Sequence, residues 1–282
     1  FRVIKGFGQA LSLMHKIKPD IVFSKGGFVS VPVVLAAKTC GIPAIIHESD
    51  ITPGLANRIA IKGAKKVCCN FPETLKYLPA DKAVLTGSPI RKELLNGNPD
   101  AAYKLCKFPA EKKPVLLIIG GSLGSKSINE AVRKILSELL KDFYIIHLCG
   151  KGNLEESLVG TPGYAQFEYA NAELTDMLAL ADLAISRAGA NSICELLALH
   201  KPNILIPLSA AASRGDQILN ANSFKKQGFS YVIKEEDVTD EILLNAVRQV
   251  YDNRQTFIDA MSKSGQMDSI GTIVKLIENE AK

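Results

Sequence analysis

The residues best suited to chemistry in this chain follow short apolar runs. The strongest case is Val115–Ile119, which leads into Gly120-Gly121-Ser122-Leu123-Gly124-Ser125 and then a helical pattern. Small residues let a backbone approach a phosphate, and the free N–H groups of the following helix point at it. A second run, Leu183–Ile185, leads into Ser186-Arg187-Ala188-Gly189-Ala190-Asn191-Ser192 and a helix carrying Glu195. A carboxylate there can accept both hydroxyls of a ribose, or simply complement the helix dipole. A third, Asn203–Ile206, opens a loop of small residues ending in Gln217, an amide able to read a sugar hydroxyl. In the first part of the chain, Ser24-Lys25-Gly26-Gly27 is another candidate anion loop. His47-Glu48-Ser49-Asp50 sets titratable groups at a strand's carboxyl edge, where they could do acid–base work or stitch a loop. Thr86-Gly87-Ser88-Pro89-Ile90-Arg91 places an arginine that could pair with a diphosphate.

Other chemistries are excluded by what is missing. The glycines do not follow GxGxxG, and the next strand ends in Cys149-Gly150-Lys151 rather than the carboxylate a nicotinamide dinucleotide needs. No GxxxxGK[ST] loop, HExxH or zinc spacing occurs. The absence of DxD argues against a metal-clamped nucleotide sugar, and we expect no cofactor and no metal. No nucleic-acid-binding signature is present, and tryptophan is absent.

These loops need elements to carry them. Apolar runs alternate with helical patterns along the 282 residues, the signature of βαβ units with a buried parallel sheet. Expected strands include Ile21–Phe23, Ala44–His47, Lys66–Cys69, Ala83–Leu85, Tyr144–Leu148, Phe167–Tyr169 and Tyr231–Ile233. Expected helices include Gly8–Lys18, Ile128–Leu140 and Asn191–Leu199, with more from Asp240 to the end. Such a length suits two domains. A turn-rich break near 92–113 separates residues 1–95 from residues 112–265, and 266–282 reads as a helix able to pack back on the first domain.

Charge divides the same way. Residues 1–91 carry +8 and the remainder −3, within a net charge of +5. A basic first part is either an ordinary solvated face or an attraction to anionic lipid or phosphate. Lys62, Lys65 and Lys66, after Ile59–Ile61, are the candidate membrane contact. The longest apolar stretch, Phe28–Ala37, is too short to span a bilayer. Six cysteines without CxxC spacing read as reduced thiols of a cytosolic protein.

Taken in order, SKGGF, IPAIIHES–TPGLAN, TGSPIR, VLLIIGGSLGS, ADLAISRAGANSICE and RGDQ–NA resemble the MurG family from about Pro19 to Asn222. The resemblance implies a GT-B glycosyltransferase of two Rossmann-like α/β domains, the first incomplete here. It implies inverting transfer of GlcNAc from UDP-GlcNAc to lipid I, an undecaprenyl diphosphate-linked acceptor, giving lipid II for peptidoglycan. It also implies peripheral attachment at the cytoplasmic face of the cell membrane. Carried over, Arg91 contacts the donor, Ser122 lies beside the diphosphate, and Ala190, Asn191 and Ser192 lead to Glu195 on the ribose. Gln217 meets the GlcNAc hydroxyls, and Gly26 and Gly27 belong to the acceptor-side loop. His47 or Glu48 is the candidate base within this chain. Many members have Asn in place of Asp50, and the family's opening GGTGGH loop does not occur, so a segment is expected before Phe1. Two other readings stand beside this one: a UDP-sugar transferase acting on another lipid such as a diacylglycerol, and a UDP-binding fragment that does not catalyse.

Overall fold

The computed structural model describes residues 2–121, 124–213, 215–264 and 268–281. Contacts divide the chain into two compact units, one of Phe1–Pro89 with Gln266–Lys282, the other of Ile90–Gly265.

The first unit opens with α1 (Arg2–Ile17), β1 (Val22–Ser24), α2 (Val31–Thr39), β2 (Ala44–Glu48), α3 (Leu55–Ala60), β3 (Lys66–Cys69) and β4 (Ala83–Leu85). The second contains α4 (Pro99–Leu105), β5 (Val115–Ile119), α5 (Lys126–Lys134), α6 (Leu136–Asp142), β6 (Tyr144–Leu148), β7 (Tyr164–Phe167), α7 (Glu173–Leu180) and β8 (Leu183–Ser186). It continues through α8 (Ala190–Ala198), β9 (Asn203–Leu205), α9 (Asp216–Lys226), β10 (Tyr231–Val232), α10 (Asp240–Asp252) and α11 (Arg254–Ser262). The last helix, α12 (Ser269–Glu280), returns to the first unit.

The first unit's strands lie in the order β1-β2-β3-β4, all parallel. Alternate side chains of β2 feed opposite faces, as strand pleating requires. Ala44 and Ile46 pack with Ala10 and Met14 of α1 and Val34 and Ala37 of α2. Ile45, with Cys68 of β3, packs against Ile273, Leu276 and Ile277 of α12. An ion pair, Lys65 Nζ to Glu280 Oε2 at 2.7 Å, ties the end of α12 to the same unit.

In the second unit six parallel strands run β10-β9-β8-β5-β6-β7. Leu116 and Ile118 of β5 enter one core with Val132, Leu139 and Val247, while Val115 and Leu117 enter another with Met177, Leu178 and Leu196. The sheet is covered on both faces, so its strands are mostly apolar. Successive strands run outward from β5 to β7, then the chain crosses to β8 on the other side. That reversal opens a crevice above the carboxyl ends of β5 and β8, where open α/β sheets hold their ligands.

Three expectations shift. The first helix begins earlier, at Arg2, and stops at Ile17, where Lys18 takes a positive φ of 51°. The helix expected over Ile128–Leu140 is two, broken at Ile135 (φ −103°, ψ 11°). Val132, Ile135, Leu136 and Leu139 all remain buried, so the apolar phase runs on through the break. The strand expected at Phe167–Tyr169 ends at Phe167. Glu168 beyond it receives the Gly150 and Gly152 amides on its carbonyl and carboxylate.

The turn from β5 to α5 fits against the end of β6 only because Gly124 has no side chain. Gly124 has φ +76°, and a Cβ there would lie 2.0 Å from the Cys149 carbonyl oxygen at the end of β6. Gly124→Ala therefore suffers both backbone strain and a clash with main chain that cannot swing aside. We expect the second unit to lose roughly 1–3 kcal/mol, read as a lower urea midpoint at unchanged slope.

Candidate functional site

Three loops meet at the reversal of the second sheet and line a cavity of about 500 Å³. Gly121, Ser125 and Ser127 come from the β5–α5 turn, Arg187, Gly189 and Ser192 from the β8–α8 turn, and Leu208 and Gln217 from the β9–α9 segment. Each loop ends in a helix start. Ser125 caps α5 by accepting from the Ile128 amide. Gly189 and Gly215 precede α8 and α9 and carry no side-chain cap, among the described residues. Uncapped first-turn N–H groups and the positive dipole end both favour an anion. Gly121, at φ +93°, has nothing within 4 Å of where a Cβ would sit.

Beneath the cavity lies a charged knot. Arg187 is only 8% exposed. Its Nη1 donates to the Ile206 carbonyl at 3.1 Å, and its Nη2 reaches Ser125 Oγ (2.7 Å), Ser127 Oγ (2.9 Å) and Glu235 Oε1. Ser127 Oγ in turn donates to Glu235 Oε1 at 2.7 Å, and the Ser209 amide donates to Glu235 Oε2 at 3.1 Å. These donors outweigh partial burial and hold the Glu235 carboxyl below the usual carboxylate range.

The structure distributes the expected site residues between the two units. Ser192 and Gln217 line the cavity. Gln217 Oε1 accepts from the Leu208 amide at 3.1 Å, so its Nε2 is the group it offers outward. Ala190 is buried at the start of α8 and Asn191 is exposed. Glu195, half-buried, has its carboxyl pushed up by burial and pulled back by the nearby Arg91 guanidinium. Arg91 itself is exposed, at the start of a short 3-10 helix. Ser122 lies outside the described residues.

Gly26, Gly27, His47 and Glu48 belong to the first unit. Gly26 and Gly27 adopt φ of 98° and 88° in the turn after β1. His47 is fully buried. Its Nδ1 faces the Lys25 ammonium at 3.2 Å and its Nε2 the Gly87 carbonyl at 3.0 Å. Lysine can only donate and a carbonyl only accept, so the ring is neutral with its proton on Nε2. Burial first, then Lys25, lowers its pKa to about 4. Glu48 accepts from the amides of Asp50 (3.0 Å) and Gly54 (3.2 Å) and from Asn57 Nδ2 (2.8 Å). Both side chains also hold loops together, His47 between Lys25 and Gly87 and Glu48 across Asp50, Gly54 and Asn57.

With this geometry in view, comparison with known proteins gives two family matches. Residues 1–69 match the glycosyltransferase family 28 N-terminal domain, and residues 115–277 match its C-terminal domain. A UDP-N-acetylglucosamine–N-acetylmuramyl-(pentapeptide) pyrophosphoryl-undecaprenol N-acetylglucosamine transferase from Lachnospira eligens is 64% identical over all 282 residues, which span 79% of that relative. One of the same description from Geobacillus thermodenitrificans is 57% identical with the same coverage. The crystal structure of Acinetobacter baumannii MurG superposes with a TM-score of 0.76 at 28% identity, over 99% of this chain and 79% of that one. The chain belongs to the MurG family of glycosyltransferases. Its fold is accordingly the two-domain GT-B arrangement of parallel α/β domains.

Within this MurG-family chain, the residues that sequence reasoning missed are Ser125, Lys126, Ser127 and Glu235. Arg187 lay in a quoted loop but received no role. Its type and its place after a strand were visible signals; Glu235, on the far side of two more strands, gave none.

The two deeply buried neutral histidines make stability depend on pH. His47 falls from 6.5 to about 4 on folding, and His147, bonded to Tyr164 and Asn129, to about 3. Between pH 6.5 and 4 the unfolded chain takes up protons that the folded one refuses, so stability falls with falling pH. Each histidine contributes a slope of about 1.4 kcal/mol per pH unit. His47→Asn should flatten the urea-midpoint profile between pH 6.5 and 4; a slope as steep as that of the unaltered chain would deny His47 its depressed pKa.

Proposed function

We propose that this chain transfers GlcNAc from UDP-GlcNAc to lipid I, with inversion at the anomeric carbon, to form lipid II. The observation that carries this reading is the cavity at the sheet reversal, bounded by three helix starts, in a chain whose relatives are named for that transfer. The acceptor C4 hydroxyl attacks the anomeric carbon as its proton passes to a base, for which His47 or Glu48 is this chain's candidate; the glycosidic bond to the diphosphate breaks, and UDP leaves from the opposite face. Charge grows on the diphosphate as it departs. In this reading Ser122 lies beside the diphosphate, and backbone N–H groups of the β5–α5 turn and of the start of α8, which border the cavity, stabilise that charge. Arg91 adds a cation. Ala190, Asn191 and Ser192 bring the chain to Glu195, which takes the ribose hydroxyls. Gln217 donates from Nε2 to a hexose hydroxyl. Gly26 and Gly27 form part of the acceptor loop. Lipid I and diacylglycerol offered side by side with UDP-GlcNAc test the acceptor, and only lipid I should be glycosylated.

The donor assignments separate by ligand. Glu195→Ala removes a charge-assisted hydrogen bond, about 1.5–3 kcal/mol, and should weaken UDP at least tenfold by calorimetry. Gln217→Ala should weaken UDP-GlcNAc far more than UDP. Equal losses for the two ligands would place Gln217 off the sugar.

The acceptor's lipid tail requires contact with a membrane. Among the described residues no helix is long and apolar enough to cross one. We propose peripheral attachment at the cytoplasmic leaflet through the basic first unit. Lys62 and Lys65 are exposed beside Ile59, itself 40% exposed. Lys65 is shared with Glu280, and Lys66 Nζ donates to the Asp81 carbonyl at 3.1 Å, so Lys62 is the stronger contributor of the three. Each such lysine is worth about 1 kcal/mol at an anionic surface. Vesicles containing anionic lipid should sediment the chain at low salt and release it at high salt, and Lys62→Glu should cut binding several-fold. Binding indifferent to salt would remove the electrostatic account.

A further inference from the structure

The second unit holds a carboxylate where charge alone would forbid one. Glu235 lies directly behind the cavity, bonded to Ser127 and Arg187 of its lining, yet the three helix starts around that cavity favour a negative ligand. A carboxylate so near a diphosphate repels it. Its geometry shows what it supplies in return.

Glu235 joins three loops that lie far apart in sequence. Oε1 takes Ser127, at the start of α5, and Arg187, in the β8–α8 turn. Oε2 takes the Ser209 amide, in the β9–α9 segment. The neighbouring amide, Leu208, is the one that fixes Gln217 Oε1. One side chain from beyond β10 thus reaches all three loops lining the cavity. Arg187 spans the remaining distance, with Ser125 Oγ and the Ile206 carbonyl completing its shell.

We propose that Glu235 is a positioning residue for the donor diphosphate: it holds Arg187, Ser127 and the Ser209 segment in register so that the three loops present their N–H groups to one anion. Glu235 does not touch the ligand. It neutralises the Arg187 guanidinium, so this arginine acts as a strut and leaves attraction of the diphosphate to the helix starts and to cations elsewhere. The inference rests on the proposed binding of UDP-GlcNAc in this cavity.

The sign of the effect makes it testable. If Glu235 acted through charge alone, removing it would relieve repulsion and tighten UDP. If it acts by positioning, removal loosens UDP. Glu235→Gln keeps the shape and one acceptor oxygen but cannot accept at both ends, whereas Glu235→Ala loses every tie. Calorimetry on the full chain, with thermal midpoints measured in parallel, should show UDP weakened several-fold by Gln and at least tenfold by Ala. Uridine, which has no diphosphate, should bind each variant as it binds the unaltered chain. Should Glu235→Ala fail to fold, the Gln variant alone decides. UDP binding that is unchanged or tighter in Glu235→Gln overturns the proposal, as does an equal loss of uridine and UDP, which would mark general loosening of the unit. An unaltered chain that binds no UDP overturns the donor reading and this inference with it.

Discussion

A guanidinium withdrawn from water must be surrounded by acceptors, and the second unit is organised around that requirement. Arg187 draws a backbone carbonyl, two serine hydroxyls and a carboxylate onto itself. Those groups come from the connections after β5, β9 and β10, so satisfying one side chain aligns several loop ends. The sheet reversal between β5 and β8 creates a space; the buried ion pair gives that space a fixed outline. A neutral side chain of similar size would fill the volume without dictating where each loop stops. Burying an ion pair is seldom a gain in stability by itself. The return here is a defined geometry at a ligand site.

The first unit follows similar logic with weaker charges. His47 is pinned between Lys25 and the Gly87 carbonyl, and Glu48 gathers the Asp50 and Gly54 amides with Asn57. The loops after β1, β2 and β4 are thereby joined. Asn57 also donates to the His47 carbonyl and packs beside Gly26, whose φ of 98° is what calls for glycine in that turn. The candidate acid–base pair of the sequence is also a set of ties beside the glycine turn.

Much of the architecture could be read from residue order alone, because strands buried on both faces are mostly apolar. Val115–Ile119 and Lys66–Cys69 stand where the sequence puts them. The break at Ile135 could not be read, since the apolar pattern keeps its phase across it. The glycine-rich turn was visible as a phosphate cradle, but not the reason Gly124 must be glycine, which is the Cys149 carbonyl from the adjacent strand. Glu235 was illegible for a related cause. Between it and Arg187 the chain makes two helices and two more strands, and only the parallel register of β8, β9 and β10 brings the two together. His47 and Glu48 were conspicuous by type, but sequence spacing carries no information about how many partners a buried group already has.

If UDP-GlcNAc binds as proposed, the helix starts that border the cavity act after the transfer as well as before it. Their partial charges are made of backbone and cannot be withdrawn, titrated or displaced once the sugar has moved. On the proposed reading, UDP left in the cavity would meet the same N–H groups that eased its departure from the hexose, so the donor cradle would also retain the product.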